Sequence, residues 1–136
     1  MTTISQAISA LGISEWVLRG EPTSEAEFNK MFSKVTGSDN GTAIESSDPK
    51  DFGTTWKAVS DKKTELTNAE PMRLLRVERD RLLAETDWMA NSDVTLADNW
   101  KTYRQSLRDL PASAKPKLSA DGSLDMSSVT FPTKPS

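Results

Sequence analysis

Apolar residues fall at Ile4, Ala7, Ile8 and Leu11, the i, i+3, i+4, i+7 spacing of one helix face, and Thr2 or Thr3 can cap the start. Gly12 ends that helix, and Glu15 to Arg19 then reads as a strand or extended segment closed by Gly20 and Pro22. Ser24 with Glu27 three residues on forms a capping-box pattern, and Phe28, Met31, Phe32 and Val35 carry the second helix to about Val35. From Thr36 to Gly53 the chain turns to Gly, Ser, Asp and Asn around Ala43, Ile44 and Phe52, the pattern of a loop. A structureless loop of roughly 18 residues exceeds the usual ~12–15, so it is either a binding loop or hides a short strand around Thr42 to Glu45.

Helical spacing resumes near Thr54 with Trp56, Val59, Lys63 and Leu66. Asn68 ends that helix and Glu70-Pro71 opens another, unless the two merge into one helix bent at Pro71. Met72 to Met89 is rich in helix formers, with Met72, Leu75, Leu82 and Leu83 on one side. Asn91 and Ser92 break it. Asp93 or Thr95 then caps a last helix striped by Leu96, Trp100, Tyr103, Leu107 and Leu110 and stopped by Pro111. So short a break predicts an antiparallel helical hairpin. Beyond it lie an Asp121-Gly122 turn signal and an extended Thr130 to Pro135 end. The expected fold is mainly α with a minor β element (α+β), a helical hairpin closed by an extended Pro-rich C-terminal tail. Its regions are 1–53, helix, strand and helix with a long polar loop; 54–111, the hairpin core; and 112–136, a tail packing on the hairpin or a partner.

Composition narrows the chemistry. The 136 residues contain 17 basic and 20 acidic side chains, for a net charge of -3, with no Cys and no His. That removes disulfides, zinc fingers, His general bases, Cys nucleophiles and haem or iron–sulfur ligation. No catalytic, cofactor-binding or metal-ligating residue is assigned, and an enzyme is not expected. The acidic balance argues against sequence-independent nucleic-acid binding. The Met1 to Ser5 start lacks the basic and apolar regions of a signal peptide, and the longest apolar runs are far short of the ~20 residues that cross a bilayer. A soluble protein without export or membrane association is expected. Only 35% of residues are hydrophobic, so the core is small and the chain is expected to lean on a partner or on self-association.

Three groupings have simpler explanations than a reactive site. Arg73, Arg76, Arg79, Arg81, Arg104 and Arg108 are interleaved with Glu78, Asp80, Glu85 and Asp109. Helix-surface pairs such as Arg76 with Asp80 and Glu78 with Arg81 account for most of them. Asp39-Asn40-Gly41 and Asp121-Gly122-Ser123-Leu124-Asp125 are turns, since neither has the spacing of a calcium loop. Trp88, Trp100 and Tyr103 read as core, and Asp87 as a cap or backbone partner at the helix end.

The run Arg79-Asp80-Arg81-Leu82-Leu83-Ala84-Glu85-Thr86-Asp87-Trp88, then Asp93, then Trp100 to Pro111 and finally Phe131-Pro132-Thr133-Lys134-Pro135 resembles a known module. It is similar to the C-terminal domain of bacteriophage tail-fibre assembly chaperones and related tail proteins, with Phe131 where that pattern has Trp. The resemblance covers about Met72 to Pro135. The front half, including Trp16 to Thr23, is similar to small structural or hypothetical proteins of marine cyanophages. The resemblance implies structural roles for Leu82, Leu83, Asp87, Trp88, Trp100, Tyr103, Arg104, Leu107, Asp109, Phe131 and Pro132. Leu82, Leu83, Trp88, Trp100, Tyr103 and Leu107 form the hairpin core, Asp87 fixes the turn, and Phe131 staples the tail. Trp16, Ile44 and Phe52 are candidate partner contacts. The implied role is a non-enzymatic virion structural protein of the tail, baseplate or fibre region, with other phage tail proteins as partners, no cofactor, and a place in the virion after assembly in the host cytoplasm. The alternative is a tail-fibre assembly chaperone that leaves the mature particle.

Overall fold

Two short capped helices and a sheet frame the first half of the chain in a computed structural model that describes residues 2–136. Helix α1 spans Ile4–Ala10, where Thr3 and Gln6 complete a reciprocal capping box, and it buries Ile4, Ala7 and Ile8 as their spacing predicts. Strand β1 (Trp16–Leu18) follows, then α2 (Glu25–Met31), capped by Ser24, whose hydroxyl accepts from the Glu27 amide. The Glu27 carboxylate takes the amide and hydroxyl of Thr23 instead of closing the box on Ser24.

The second helix ends at Met31, not near Val35, because Phe32 begins strand β2 (Phe32–Asp39). Leu18, Val17 and Trp16 pair antiparallel with Phe32, Ser33 and Lys34, and this ladder overrides the helical spacing of Phe32 and Val35. Half of the stretch expected to be a loop is strand. β2 runs on to Asp39, and the hidden strand is present as β3 (Thr42–Ser46). Asp39 pairs with Thr42 across the two-residue turn Asn40-Gly41. Those residues sit at φ 48° and 80°, the positive values a type I′ hairpin turn demands. The sheet order is β1-β2-β3, with a register shift between Val35 and Gly37. Past that shift both strands are exposed.

Helix α3 (Trp56–Ala84) is continuous through Pro71, so the merged alternative holds, although the proline ring leaves the Thr67 carbonyl without its helical donor. It stops at Ala84 rather than Met89, and Asp87–Ala90 forms a separate 3-10 turn. Helix α4 (Asp98–Ser113) starts later than Asp93 or Thr95 would allow. The Val94 amide is still bonded to the Asn91 carbonyl in a turn, and Ala97 occupies the cap position without a side-chain bond. Pro111 lies inside α4 rather than ending it: one intrahelical bond is lost near the end, and the Ala114 amide still reaches the Leu110 carbonyl.

The chain divides into two compact units, Met1–Asn68 and Ala69–Ser136. In the first, Ile4, Ala7, Ile8, Phe28, Phe32, Phe52 and Val59 form the core, edged by Leu11, Ile13, Trp16, Leu18 and Trp56. Phe28 stacks on Phe32 at 5.0 Å between centroids, and Phe52 meets Phe32 edge-on at 4.7 Å. In the second, Leu75, Tyr103, Leu107 and Val129 are the buried apolar residues. There a Leu118–Leu124 bridge flanks the Asp121-Gly122 turn, with Gly122 at φ 86°, and Asp125 caps a 3-10 turn over Met126–Ser128. With four helices and this small antiparallel sheet, the architecture is α+β.

Candidate protein-docking site

The chemistry of the second unit gathers where α3 ends. The last carbonyls of a helix lack the amide donor four residues on, and the Leu83 carbonyl takes the Thr86 amide at 3.1 Å in a tightened last turn instead. Arg104 of α4 adds a charged donor: one guanidinium nitrogen gives to the Leu83 carbonyl at 2.9 Å and to Thr86 Oγ1 at 2.6 Å, the other to Asp87 Oδ1 at 2.8 Å. Thr86, only 2% exposed, donates its own hydroxyl back to the Leu83 carbonyl at 3.2 Å. The cation therefore caps the negative end of the α3 dipole, and each group in the cluster has a partner. The Arg104 side chain is 8% exposed against 64% for Asp87, so the carboxylate retains much of its hydration. This makes Arg104 a fixed strut, not a reactive centre. Asp87 serves it from the first position of the following turn.

Other motif residues are placed as follows. Tyr103 and Leu107 are buried, Trp100 meets Tyr103 edge-on at 5.9 Å, and Leu82 and Leu83 are half-buried. Trp88, expected in the core, stands 57% exposed because the 3-10 turn that begins at Asp87 breaks its helical phase with α3. Phe131 and Pro132 are half-buried and share a hollow of about 500 Å³ with Ser106, Asp109 and Leu110. Lys134 reaches Glu85 at 3.5 Å.

Of the three candidate contacts in the first unit, Ile44 is exposed on β3, and Trp16 is half-buried, stacked on Phe32 with its indole donating to the Ile13 carbonyl. Phe52 is corrected from contact to core. At 1% exposure and edge-on to Phe28 and Phe32, it has no surface to offer.

Three of the four arginines of α3 are held by carboxylates: Arg73 by Glu70, Arg81 by Glu78 and Glu85, and Arg79 by Asp80, which takes it in place of the expected Arg76. The Arg73 and Arg81 guanidinium bonds hold the Glu70 and Glu78 carboxyls below the usual carboxylate range. On α4 the arrangement differs. Lys101, Arg104, Gln105 and Arg108 lie at i, i+3, i+4 and i+7, one helix face, and with Ala90 and Leu96 line an open groove of about 410 Å³. Sequence reasoning missed this groove and the buried Thr86. The 101/104/108 spacing of cations was the legible signal for the groove, hidden by the neighbouring acidic residues.

Residues 72–136 match the family model of phage tail assembly chaperone proteins. The matched segment is just under half of the chain and holds the Arg104 cluster, the groove and the tail. Over that segment the chain is similar to phage tail assembly chaperone proteins. It fits an assembly chaperone at least as well as a structural component of the particle. No curated protein and no solved structure matches the chain.

Proposed function

We propose that the protein is a phage tail assembly chaperone: it binds a tail or fibre protein during assembly in the host cytoplasm and does not stay in the mature particle. The observation that carries this reading is the family match over residues 72–136. The second unit offers what such a task needs, a small rigid support built on buried Arg104 with an exposed tryptophan and an open groove beside it in sequence. The role is binding rather than catalysis. The groove side chains are cations and an amide, suited to holding a partner through charge and hydrogen bonds.

Quantitative mass spectrometry of gradient-purified particles against infected-cell lysate, with a known tail protein as internal standard, tests the proposal. The expected result is abundance in lysate and depletion from particles. A fixed ratio to the tail standard in finished particles would refute it and return the protein to the tail, baseplate or fibre structure. The same test applied to a marine cyanophage would place the chain in that group.

A further inference from the structure

The groove on α4 has a lopsided charge. Its titratable lining residues are Lys101, Arg104 and Arg108, with Gln105 between them and Ala90 and Leu96 as an apolar wall; no carboxylate lines it. These cations differ in how firmly they are held. Arg104 is committed to Leu83, Thr86 and Asp87. Lys101 has a loose partner in Asp98, 3.5 Å away and 98% exposed. Arg108 meets no carboxylate among the described residues within ion-pair distance; its guanidinium reaches only the neutral Gln105 side chain, at 3.5 Å. A planar guanidinium with free donors and an ammonium seven residues away, nearly two helical turns, form a receptor for carboxylates, while the Gln105 amide between them already donates to Asp109 at 2.9 Å.

The surroundings choose among anionic ligands. Leu96 is half-buried, and its apolar wall favours a segment that alternates acidic and aliphatic side chains over bare phosphates. A chain of net charge -3 repels polyanions at long range, so attraction to the groove acts locally, within about one Debye length of ~8 Å at physiological salt. That suits a short peptide better than a nucleic-acid backbone, which needs a broad basic field.

We infer that the α4 groove binds an acidic, aliphatic peptide segment, with Arg108 and Lys101 taking its carboxylates and Leu96 its aliphatic side chain. That the segment belongs to a tail protein rests on the assembly-chaperone reading.

The test titrates the full chain with a short blocked peptide alternating glutamate and leucine, its glutamine–leucine counterpart, and an oligo-dT strand, followed by amide chemical shifts and calorimetry. The acidic peptide is expected to shift Ala90, Leu96 and Gln105 and to weaken as salt rises. Lys101→Ala with Arg108→Ala should weaken it about tenfold, since two exposed charge contacts are lost. Both side chains are exposed, and unchanged indole resonances of Trp88 and Trp100 would confirm that the variant stays folded. Equal binding of the glutamine peptide, an undiminished double variant, or preference for the oligonucleotide would each overturn the inference. The particle measurement judges the chaperone reading and the titration judges the groove, so the two fail separately.

Discussion

Arg104→Ala removes three hydrogen bonds in one step, and the structure lets their loss be weighed. Hydrogen bonds involving a charged group contribute about 1.5–3 kcal/mol each, and breaking a buried pair costs about 3–5 kcal/mol. Both figures must be reduced here. Asp87 is 64% exposed and regains water when released, and the Leu83 carbonyl keeps the Thr86 amide and hydroxyl as donors. What remains is the charge-assisted bond to buried Thr86, the capping of α3 and the packing of the arginine stem, together about 2–4 kcal/mol. In urea, with a slope of about 2 kcal/mol per molar, that lowers the midpoint by roughly 1–2 M. The indole NMR resonances locate the effect, since Trp88 and Trp100 report on the second unit while Trp16 and Trp56 report on the first. Arg108→Ala serves as the comparison, because that exposed side chain makes one long hydrogen bond, to Gln105, and its loss should change stability by less than about 0.5 kcal/mol. If Arg104→Ala unfolds within about 0.5 kcal/mol of wild type at Trp88 and Trp100, the strut argument is wrong.

Three further outcomes are expected. Phe52→Ala should cost about 3–5 kcal/mol, read as loss of cooperative unfolding at Trp16 and Trp56, because the ring packs edge-on against both Phe28 and Phe32; a mild effect would return Phe52 to the surface. Gly41→Ala should destabilise the hairpin by about 1 kcal/mol, since the space around the residue is open but its φ of 80° is not suited to a side chain; the amide shifts of β3 report it. Hydroxyl and amide bonds from Ser123 and Ser127 hold the Asp121 and Asp125 carboxyls below the ordinary aspartate value. A carboxyl depressed by folding stabilises at pH above its unfolded value and loses that contribution as pH falls through the folded one. The Ser123 and Ser127 amides should therefore shift at a pH below that of an unstructured aspartate, and an ordinary midpoint would contradict the bonds.

Local signals were readable in the sequence where the chain's own neighbours decide the structure. The α1 face of Ile4, Ala7 and Ile8, the Ser24 cap and the Asn40-Gly41 turn all depend on residues within a few positions. Reading failed where distant pairing decides. Phe28, Met31, Phe32 and Val35 have perfect helical spacing, yet the ladder from Leu18 to Phe32 pulls the last two into a strand. Phe52 looked like a lone aromatic in a polar loop until the sheet brought Phe28 and Phe32 to it. In the candidate site, Arg104 and Asp87 were visible as motif residues, but that Arg104 is buried and capping depends on where α3 stops. Pro111 reads as a stop in the sequence yet lies inside α4, since near the end it costs the helix one bond while the surrounding residues remain good helix formers.

The outer end of the β2–β3 hairpin is exposed on both faces, and among the described residues β3 pairs only with β2. Its amides are thus shielded from solvent protons by a single ladder with no packed layer behind it, and an isolated two-stranded ribbon is only marginally stable in water. Hydrogen exchange there should proceed by the ribbon opening by itself, at a free energy well below that of unfolding the Phe28–Phe32–Phe52 core. Exchange rates from Ser38 to Glu45 would then be indifferent to substitutions that stabilise or weaken that core. The same chain segment would hold two separate stabilities, one for the arm and one for its base.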